Sequence, residues 1–242
     1  MSCDKVKVSD VCKEFNHQTG TCAHTTPVWQ LPGKRGYFFV AKMAIDVDGA
    51  PRAYHPEDKR PPDNHTKALD WLANLSTSDR HGIQGKDGAV GPEPGFIISG
   101  TALGNPAFTE SDTRHWVDAE HIPYVVLVSR FPRNPSLPRV KLGDCAMVID
   151  LSSGKSTSAI FADVGAAVGE ASMKTALNLG LDPTQSHFSP KVRGFDQDFL
   201  YIVFPDSKIS PPWNTDEIET LARDRFQQWG GMDQVRNCFP TQ

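Results

Sequence analysis

Apolar residues occur along this chain in short runs separated by turns, a pattern typical of β-strands. The first strong run, residues 37–47, is apolar on both faces, which indicates a central strand. Five further runs follow, at residues 96–99, 124–129, 146–150, 157–162 and 199–204. Six strands with irregular connections predict a mainly β fold with a few short helices. We expect a closed, double-psi-like six-stranded barrel with peripheral helices and long loops.

Helical spacing of apolar residues is confined to three segments. Residues 66–75 predict one short helix. A second is expected to open at Glu170 and to end at Gly180, because glycine commonly follows a helix. The last begins at Asn214, a preferred N-cap residue, and ends at Gly230.

Composition and length describe an ordinary globular chain. Of its 242 residues, 38% are hydrophobic and 22% charged, and 19 are proline, which favours strands and turns over long helices. Residues 1–35 are polar and predict an N-terminal extension tied to one larger domain at 36–242. The net charge of −4 argues against a nucleic-acid partner, which would require a basic face.

No apolar run is long enough to predict a membrane span, and residues 1–20 lack the apolar core of a signal peptide. If the protein works outside the cell, we expect export by another route or a leader already removed. We expect a monomer.

Cysteine usage bears on the compartment and on metals. Cys3, Cys12 and Cys22 crowd the extension, which predicts one or two disulfides in an oxidising environment. Cys145 lies in an apolar run and is expected to be a buried small hydrophobe. The spacing of Cys12, Cys22 and His24 is not that of a zinc site, so we expect no metal and no cofactor.

The candidate chemistry centres on two acids around a glycine-rich turn. Asp163 is expected to close a strand and Glu170 to open the following helix, with Gly165 and Gly169 allowing the chain to fold back between them. Glycoside hydrolysis uses such a pair of carboxyl groups. The spacing alone fits a structural role equally, because acids are favoured at strand ends and in first helical turns.

This segment resembles the signature of glycoside hydrolase family 75, the chitosanases. The matching residues are Ala-Asp-Val-Gly at 162–165 and Gly-Glu-Ala-Ser at 169–172. Further similar motifs occur in the family's order at residues 37–56, 68–75, 93–99, 117–127, 200–204 and 229–231. The resemblance covers residues 37–231, and the first thirty or so residues lie outside it.

The resemblance implies an endo-acting, inverting hydrolase that cleaves the β-1,4 bonds of chitosan. Asp163 and Glu170 would be the catalytic pair. We expect Glu170 to be the acid and Asp163 the base, because Asp has the lower intrinsic pKa. A helix N-terminus would lower the pKa of Glu170, so the exchanged assignment stays open. Between residues 142 and 172, four acids face one lysine, a balance that suits a cationic sugar polymer.

Five other residues are expected to bind substrate: Asp46, Asp48, Tyr54, Asp118 and Glu120. The sequence Asp46-Val-Asp48-Gly also begins like a calcium loop. A proline at position 51 and the lack of flanking helices do not fit that pattern, so we expect no calcium.

Two other functions remain open. The first keeps the catalytic pair but cuts the glycan strands of peptidoglycan, as an exported bacterial effector would. The second is a non-catalytic carbohydrate-binding barrel in which Asp163 and Glu170 are structural. A serine hydrolase and a dinucleotide-binding fold are disfavoured, because neither the Gly-x-Ser-x-Gly nor the Gly-x-Gly-x-x-Gly pattern is present.

Overall fold

The computed structural model describes residues 3–16, 18–51, 83–84, 97–183 and 194–240. Within these ranges the chain is mainly β. The strands are β1 (Val6–Asn16), β2 (Thr21–Gln30), β3 (Tyr37–Asp46), β4 (Ile83–Gln84), β5 (Ile97–Ile98), β6 (Tyr124–Val128), β7 (Asp144–Asp150), β8 (Ser156–Gly165), β9 (Glu170–Ser172) and β10 (Phe195–Lys208). The α-helices are α1 (Met173–Asn178), α2 (Thr215–Trp229) and α3 (Gly231–Cys238), and Thr113–His115 forms a 3₁₀ turn.

Six of the strands close into a barrel. The hydrogen-bonded order is β3, β10, β7, β8, β6 and β9, and β9 pairs back with β3 to complete the ring. The pairs β6–β8 and β3–β9 are parallel, and the other four are antiparallel. The predicted closed six-stranded barrel with peripheral helices is therefore confirmed.

The membership of the ring differs from the sequence prediction at one strand. Residues 97–98, expected in the barrel, pair instead with β4 in a separate two-stranded sheet. The sixth barrel strand is β9, in the segment expected to open a helix. It is three residues long and begins with a glutamate, so it carries no apolar periodicity that a sequence pattern could detect.

Two apolar clusters lie on opposite faces of the barrel wall. The inner cluster takes residues from all six strands, including Phe39, Leu127, Val148, Phe161, Ala171 and Tyr201. The outer cluster is covered by α2, where Ile218 and Trp229 are fully buried. Because both faces are covered, the strands are apolar throughout, as the pattern of residues 37–47 indicated.

The N-terminal extension forms a hairpin of β1 and β2, and β2 pairs with β3. Val11 and Val28 of this hairpin join the inner cluster and cover one end of the barrel. Two disulfides secure the hairpin: Cys12 to Cys22 within it, and Cys3 to Cys238 at the end of α3. Cys145 is free and buried, as expected.

The helices correct one boundary and confirm another. The second predicted helix starts at Met173 and not at Glu170, because the Ser172 side chain caps it by accepting the Thr175 N–H. Asn214 caps α2 as predicted, and α2 ends at Gly230. The sequence analysis missed α3, and the predicted helix at 66–75 lies outside the described residues. None of the described helices is long and apolar enough to cross a membrane.

Candidate active site

Asp163 and Glu170 lie on either side of one residue of β6. Val126 is the register partner of Asp163 on β8 and also of Glu170 on β9. Two strand spacings therefore separate the two acids, which is about 9–10 Å between their Cα atoms. Register partners in adjacent strands project to the same face, so the two carboxylates share the face of Val126.

A β-bulge brings Asp163 to that face. β8 extends to Gly165, so Asp163 lies inside the strand and does not close it as predicted. Val125 pairs with Phe161, but Val126 pairs with Asp163, so Ala162 is the extra residue. Without the bulge, Asp163 would share the side of Phe161, which belongs to the inner cluster. The bulge turns the acid to the outer side instead.

Glu170 is positioned by β3 as well as by β6. Ala44 of β3 is its parallel partner, and two residues further along Asp46 is opposite Ser172. Side chains two residues apart in a strand share a face, so Asp46 lies on the same outer face as Glu170. The structure thus corrects the expected placement of Glu170: it belongs to a strand, outside the first turn of α1.

Three of the acids form a compact group. Carboxylate oxygens of Asp46, Asp48 and Asp163 all lie within 4.8 Å of one another. Asp46 is only 7% exposed, accepts the Asp48 N–H at 2.9 Å, and shares a side-chain hydrogen bond with Asp163. The Ala102 N–H donates to Asp163 Oδ1 at 2.6 Å.

Burial raises the pKa of Asp46, Asp163 and Glu170, and repulsion from neighbouring acids adds to the rise at Asp46 and Glu170. Burial, followed by the charges of Asp163 and Asp48, raises the pKa of Glu170 to about 7. The pKa of Asp46 lies well above its usual range, because the side chain is buried and then because the charges of Asp48, Glu170 and Asp163 repel its own. Burial also raises the pKa of Asp163, while the N–H groups of Ala102 and Val164 and the Asp46 hydrogen bond oppose that rise.

Two buried tyrosines donate hydrogen bonds to backbone carbonyl oxygens next to the acidic group. The Tyr124 hydroxyl donates to the Asp48 carbonyl oxygen at 3.0 Å, and burial raises its pKa well above the usual value. The Tyr201 hydroxyl donates to the Lys42 carbonyl oxygen at 3.2 Å. Both hydroxyls are neutral donors at ordinary pH, so they orient the backbone of β3 and its following turn.

The two glycines between the acids are required by close approach. Gly169 has φ +94°, and a Cβ there would lie 2.8 Å from the Lys42 carbonyl oxygen. A Cβ on Gly165 would lie 2.9 Å from Val126 Cγ1 and 3.5 Å from Glu170 Oε2. Both contacts are with the strands that hold the acids, so a larger residue would displace them.

The remaining predicted binding residues form a neighbouring turn. Asp118 accepts the Glu120 N–H at 2.9 Å, and its Oδ2 lies 2.7 Å from His121 Nδ1. This turn contacts the one after β3, because a Cβ on Gly49 would lie 2.0 Å from the Val117 carbonyl oxygen. The structure therefore groups Asp46 and Asp48 with Asp163 and Glu170, and it places Asp118 and Glu120 beside them. Tyr54 lies outside the described residues.

Among the residues that the structure describes, two groups of side chains offer donors to a cation. The Asp46–Asp48–Asp163 group has three hard oxygen donors, which suit calcium or magnesium, and Asp118, Glu120 and His121 form the other group. The raised pKa of Asp46 and its hydrogen bond to Asp163 describe carboxyls that share a proton, which competes with a cation. The absence of a metal requirement stays a prediction.

A basic cavity lies beyond the end of β6. It measures about 410 Å³ and is lined by Ser129, Arg130, Arg133, Asn134, Pro135 and Arg139. None of its three arginines forms a salt bridge with an acid in the part of the chain that the structure describes. Ser129 is three residues past Val126, so the cavity begins about 10 Å along the chain from the row formed by Asp163, Val126 and Glu170.

Sequence reasoning missed the groups that position the acids. The Ala102 N–H is a backbone donor, which no residue type reveals. Tyr124 and Tyr201 appeared only as apolar strand residues. The bulge at Ala162 has no signal in the sequence, because β8 is buried on both faces and shows no alternation that the extra residue could break. Comparison with known proteins adds no assignment: no protein-family model matches the chain, and no curated protein matches it.

Proposed function

We propose that the protein is an endo-acting, inverting glycoside hydrolase that cleaves β-1,4 bonds of an amino-sugar polymer, chitosan before others. The observation that carries the proposal is the row Asp163–Val126–Glu170. Two half-buried carboxyl groups face outward on either side of Val126, and their environments differ. Such pairs divide acid and base roles between two otherwise similar residues.

The different surroundings of the two carboxyl groups support one division of those roles. Glu170, with a pKa of about 7, carries a proton under mildly acidic conditions and donates it to the glycosidic oxygen as the bond to the anomeric carbon breaks. Asp163 accepts hydrogen bonds from the Ala102 N–H and from the Asp46 side chain, and both favour its ionised form. It removes a proton from a water molecule, and the resulting hydroxyl bonds to the anomeric carbon from the opposite side.

The separation of the two acids supports inversion over retention. Inverting enzymes hold their carboxyl groups about 6.5–9.5 Å apart to admit a water molecule, whereas retaining enzymes need about 5–5.5 Å. The Cα atoms of the two acids are two strand spacings apart, about 9–10 Å, which is compatible with the wider class. Glu170 lies in a strand, so the helix-terminus argument for exchanging the two roles no longer applies.

Chitosan is preferred because Asp46, Asp48, Asp163 and Glu170 bring negative charge together in the described part of the site. After burial, repulsion from the neighbouring acids contributes to the raised pKa of Asp46 and of Glu170. A protonated amine on the substrate relieves that repulsion and is attracted to the group. Among these acids, Asp48 is half-buried and suited to contact the amine, whereas Asp46 is buried and suited to hold Asp163.

A second candidate substrate is peptidoglycan, and the basic cavity favours it. Peptidoglycan carries acidic stem peptides, which the acidic group would repel and the arginines at 130, 133 and 139 would attract. The same catalytic pair would then act on a different polymer. This alternative needs substrate carboxylates to reach a cavity about 10 Å from the catalytic row.

The testing experiment measures reducing ends released from chitosan and from purified peptidoglycan. We expect release from chitosan, and a loss of at least about 10²-fold in kcat for Glu170→Gln and for Asp163→Asn. Glu110→Gln and Asp233→Asn, on exposed acids away from the site, serve as controls and should keep wild-type activity.

The outcomes separate the candidates. Release from peptidoglycan alone would replace chitosan by the acidic polymer. Release from neither, together with binding of glycan, would indicate the non-catalytic barrel. The anomeric configuration of the first product, read by proton NMR, tests inversion: a β-1,4 bond must give an α product.

A further inference from the structure

A groove runs from the catalytic row along the outer face of β3 to the N-terminal hairpin. It encloses about 520 Å³ and is lined by Lys13, Glu14, Thr26, Pro27, Trp29, Val40, Ala41, Lys42, Ala44, Gly169 and Asp198. That volume is within the range of ligand-binding clefts. The hairpin supplies one wall and β3 the floor.

The groove begins where the proposed catalytic acid lies. Ala44 is the register partner of Glu170, and Gly169 directly precedes that residue. At the far end, Trp29 pairs with Phe38. Six residues of strand separate Ala44 from Phe38, which corresponds to about 20 Å. This length exceeds a single sugar ring, so the groove can take several consecutive units of a chain.

The floor is apolar where it is accessible. Ala44 is exposed, Val40 is half-buried, and Trp29 presents part of its ring to the groove. Lys5 Nζ lies 4.9 Å from the centre of the Trp29 ring, so one side of the indole already has a partner and its position is fixed. A fixed aromatic surface in a cleft suits the apolar face of a pyranose ring.

The charges of the groove cancel. Lys13 and Lys42 are balanced by Glu14 and Asp198. This neutrality distinguishes the groove from the acidic group, which selects for positive charge. The groove should therefore recognise the ring faces and hydroxyl groups of a glycan whether or not its amines are acetylated.

We propose that this groove binds the glycan units that adjoin the cleaved bond, so that the N-terminal hairpin is part of the substrate-binding surface. The inference rests on the proposed glycoside hydrolase function for the identity of the ligand. It adds that Trp29 is the main contact, and that recognition there is independent of substrate charge.

The test measures binding with the inactive variant Glu170→Gln, so that no hydrolysis occurs during titration. Two probes are titrated by calorimetry: the hexasaccharide of N-acetylglucosamine and the hexasaccharide of glucosamine. In this background, Trp29→Ala should weaken both by about tenfold, since removing an aromatic contact of this kind usually has an effect of that size. The factor should be the same at low and high salt.

Trp213→Ala is the matched control, because Trp213 is also half-buried against the outer cluster but does not line the groove. It should leave the affinity unchanged. If Trp29→Ala fails to fold, Ala44→Arg replaces it: the position is exposed, and the long side chain would fill the groove and weaken both probes.

The result distinguishes this inference from the proposed function. Unchanged affinity in folded Trp29→Ala or in Ala44→Arg would overturn the proposal that the groove binds glycan, even if the wild type cleaves chitosan. A tenfold loss of affinity in a protein that cleaves neither polymer would support glycan binding in the groove and reject the hydrolase function. A loss confined to the glucosamine probe would also overturn the inference, because it would show recognition of charge.

Discussion

At the scale of single residues, the catalytic proposal depends on one carboxyl group that is costly to ionise. Glu170 is largely shielded from water, and two further acids act on it from the same face. Each effect disfavours the charged form, so together they raise its pKa to about 7. The Ala102 and Val164 N–H groups favour the ionised form of Asp163, whereas burial and neighbouring acids disfavour that of Glu170. The proposed acid and base roles rest on this difference.

This difference predicts a bell-shaped pH profile for kcat/KM. Activity should fall as pH rises through about 7, because Glu170 then loses the proton it must donate. It should also fall at low pH, as Asp163 becomes protonated with a pKa above its usual value of 3.8. Initial rates on soluble chitosan at constant ionic strength provide the measurement. An alkaline limb unchanged in residual Glu170→Gln activity would contradict the role of Glu170.

Glu170→Gln should also change stability, in a direction opposite to that of most mutations. In wild type, the folded pKa of about 7 exceeds the ordinary 4.5. Between those values the folded state binds more protons than the unfolded state, so the free energy of unfolding decreases as pH rises. The glutamine side chain of the variant does not ionise, so the variant does not lose stability in this way as pH rises. We expect the variant to be more stable above pH 7, by on the order of 2 kcal/mol, and to match wild type below pH 4.5.

Urea titrations at the two pH extremes would measure this effect. Glu110→Gln, an exposed acid, is the control and should show no such difference. A variant less stable than wild type above pH 7 would indicate that Glu170 has a structural role as an anion.

The acids themselves could be selected from the sequence, because carboxylates around a glycine turn and after a strand are visible as residue types. The different environments of these acids could not be predicted from the sequence. The Ala102 N–H that favours ionised Asp163 comes from a segment far along the chain, and backbone donors have no sequence signature. The hydrogen bond between Asp46 and Asp163 depends on the pairing of β3 with β9, which no local pattern determines.

At the scale of elements, the site depends on two short irregularities in the barrel wall. The bulge in β8 turns Asp163 outward, and the three residues of β9 close the ring while presenting Glu170. The sequence predicted the long apolar strands well, since burial on both faces requires continuous apolar runs. It misassigned β9, because a strand of three residues is stabilised by its two neighbours and not by its own propensity.

Gly169→Ala should damage the site through β9. The substitution imposes a side chain at φ +94° and places its Cβ 2.8 Å from the Lys42 carbonyl oxygen, so β9 must move away from β3. We expect a destabilisation of roughly 1–3 kcal/mol and a fall in kcat of more than about tenfold. Thermal unfolding and steady-state kinetics on chitosan would measure both.

Gly154→Ala is the matched control. Gly154 also has positive φ, at +72°, but a Cβ there meets nothing within 4 Å. It should show only the strain of the left-handed conformation, about 1 kcal/mol, with kcat unchanged. Equal activity in the two variants would show that the contact of Gly169 with β3 does not position Glu170.

At the scale of the whole molecule, the N-terminal extension is an integrated part of the fold. Its hairpin covers one end of the barrel. The N–H of Val168, in the loop between Asp163 and Glu170, donates to the Cys12 carbonyl oxygen of the hairpin at 2.8 Å. The Cys3–Cys238 disulfide joins it to α3. The sequence predicted an extension pinned by disulfides. The pairing with β3 was not predicted, because it depends on contacts distant along the chain.

The charged surfaces also have an order that emerges only in three dimensions. β3 and β6 both flank β9, β3 in parallel and β6 antiparallel, so they run in opposite directions past Glu170. Asp46 and Asp48 lie toward the end of β3, and the basic cavity lies past the end of β6. Acidic and basic surfaces therefore lie on opposite sides of the catalytic row.

This arrangement predicts how salt and substrate charge should affect the rate. Exposed charges are screened beyond about 10 Å at 0.1 M salt, so activity on chitosan should fall as ionic strength rises, and it should fall again as the polymer is acetylated.

A triple variant, Arg130→Gln with Arg133→Gln and Arg139→Gln, should keep or increase activity on chitosan, because it removes charges that repel the polymer. On peptidoglycan the same variant should lose activity, since the arginines are the basic groups that line the cavity beside the site. Rates on both polymers across a salt series would measure these effects. Activity that is insensitive to salt, highest on fully acetylated strands and lost in the triple variant would replace chitosan by peptidoglycan and leave Asp163 and Glu170 as the catalytic pair.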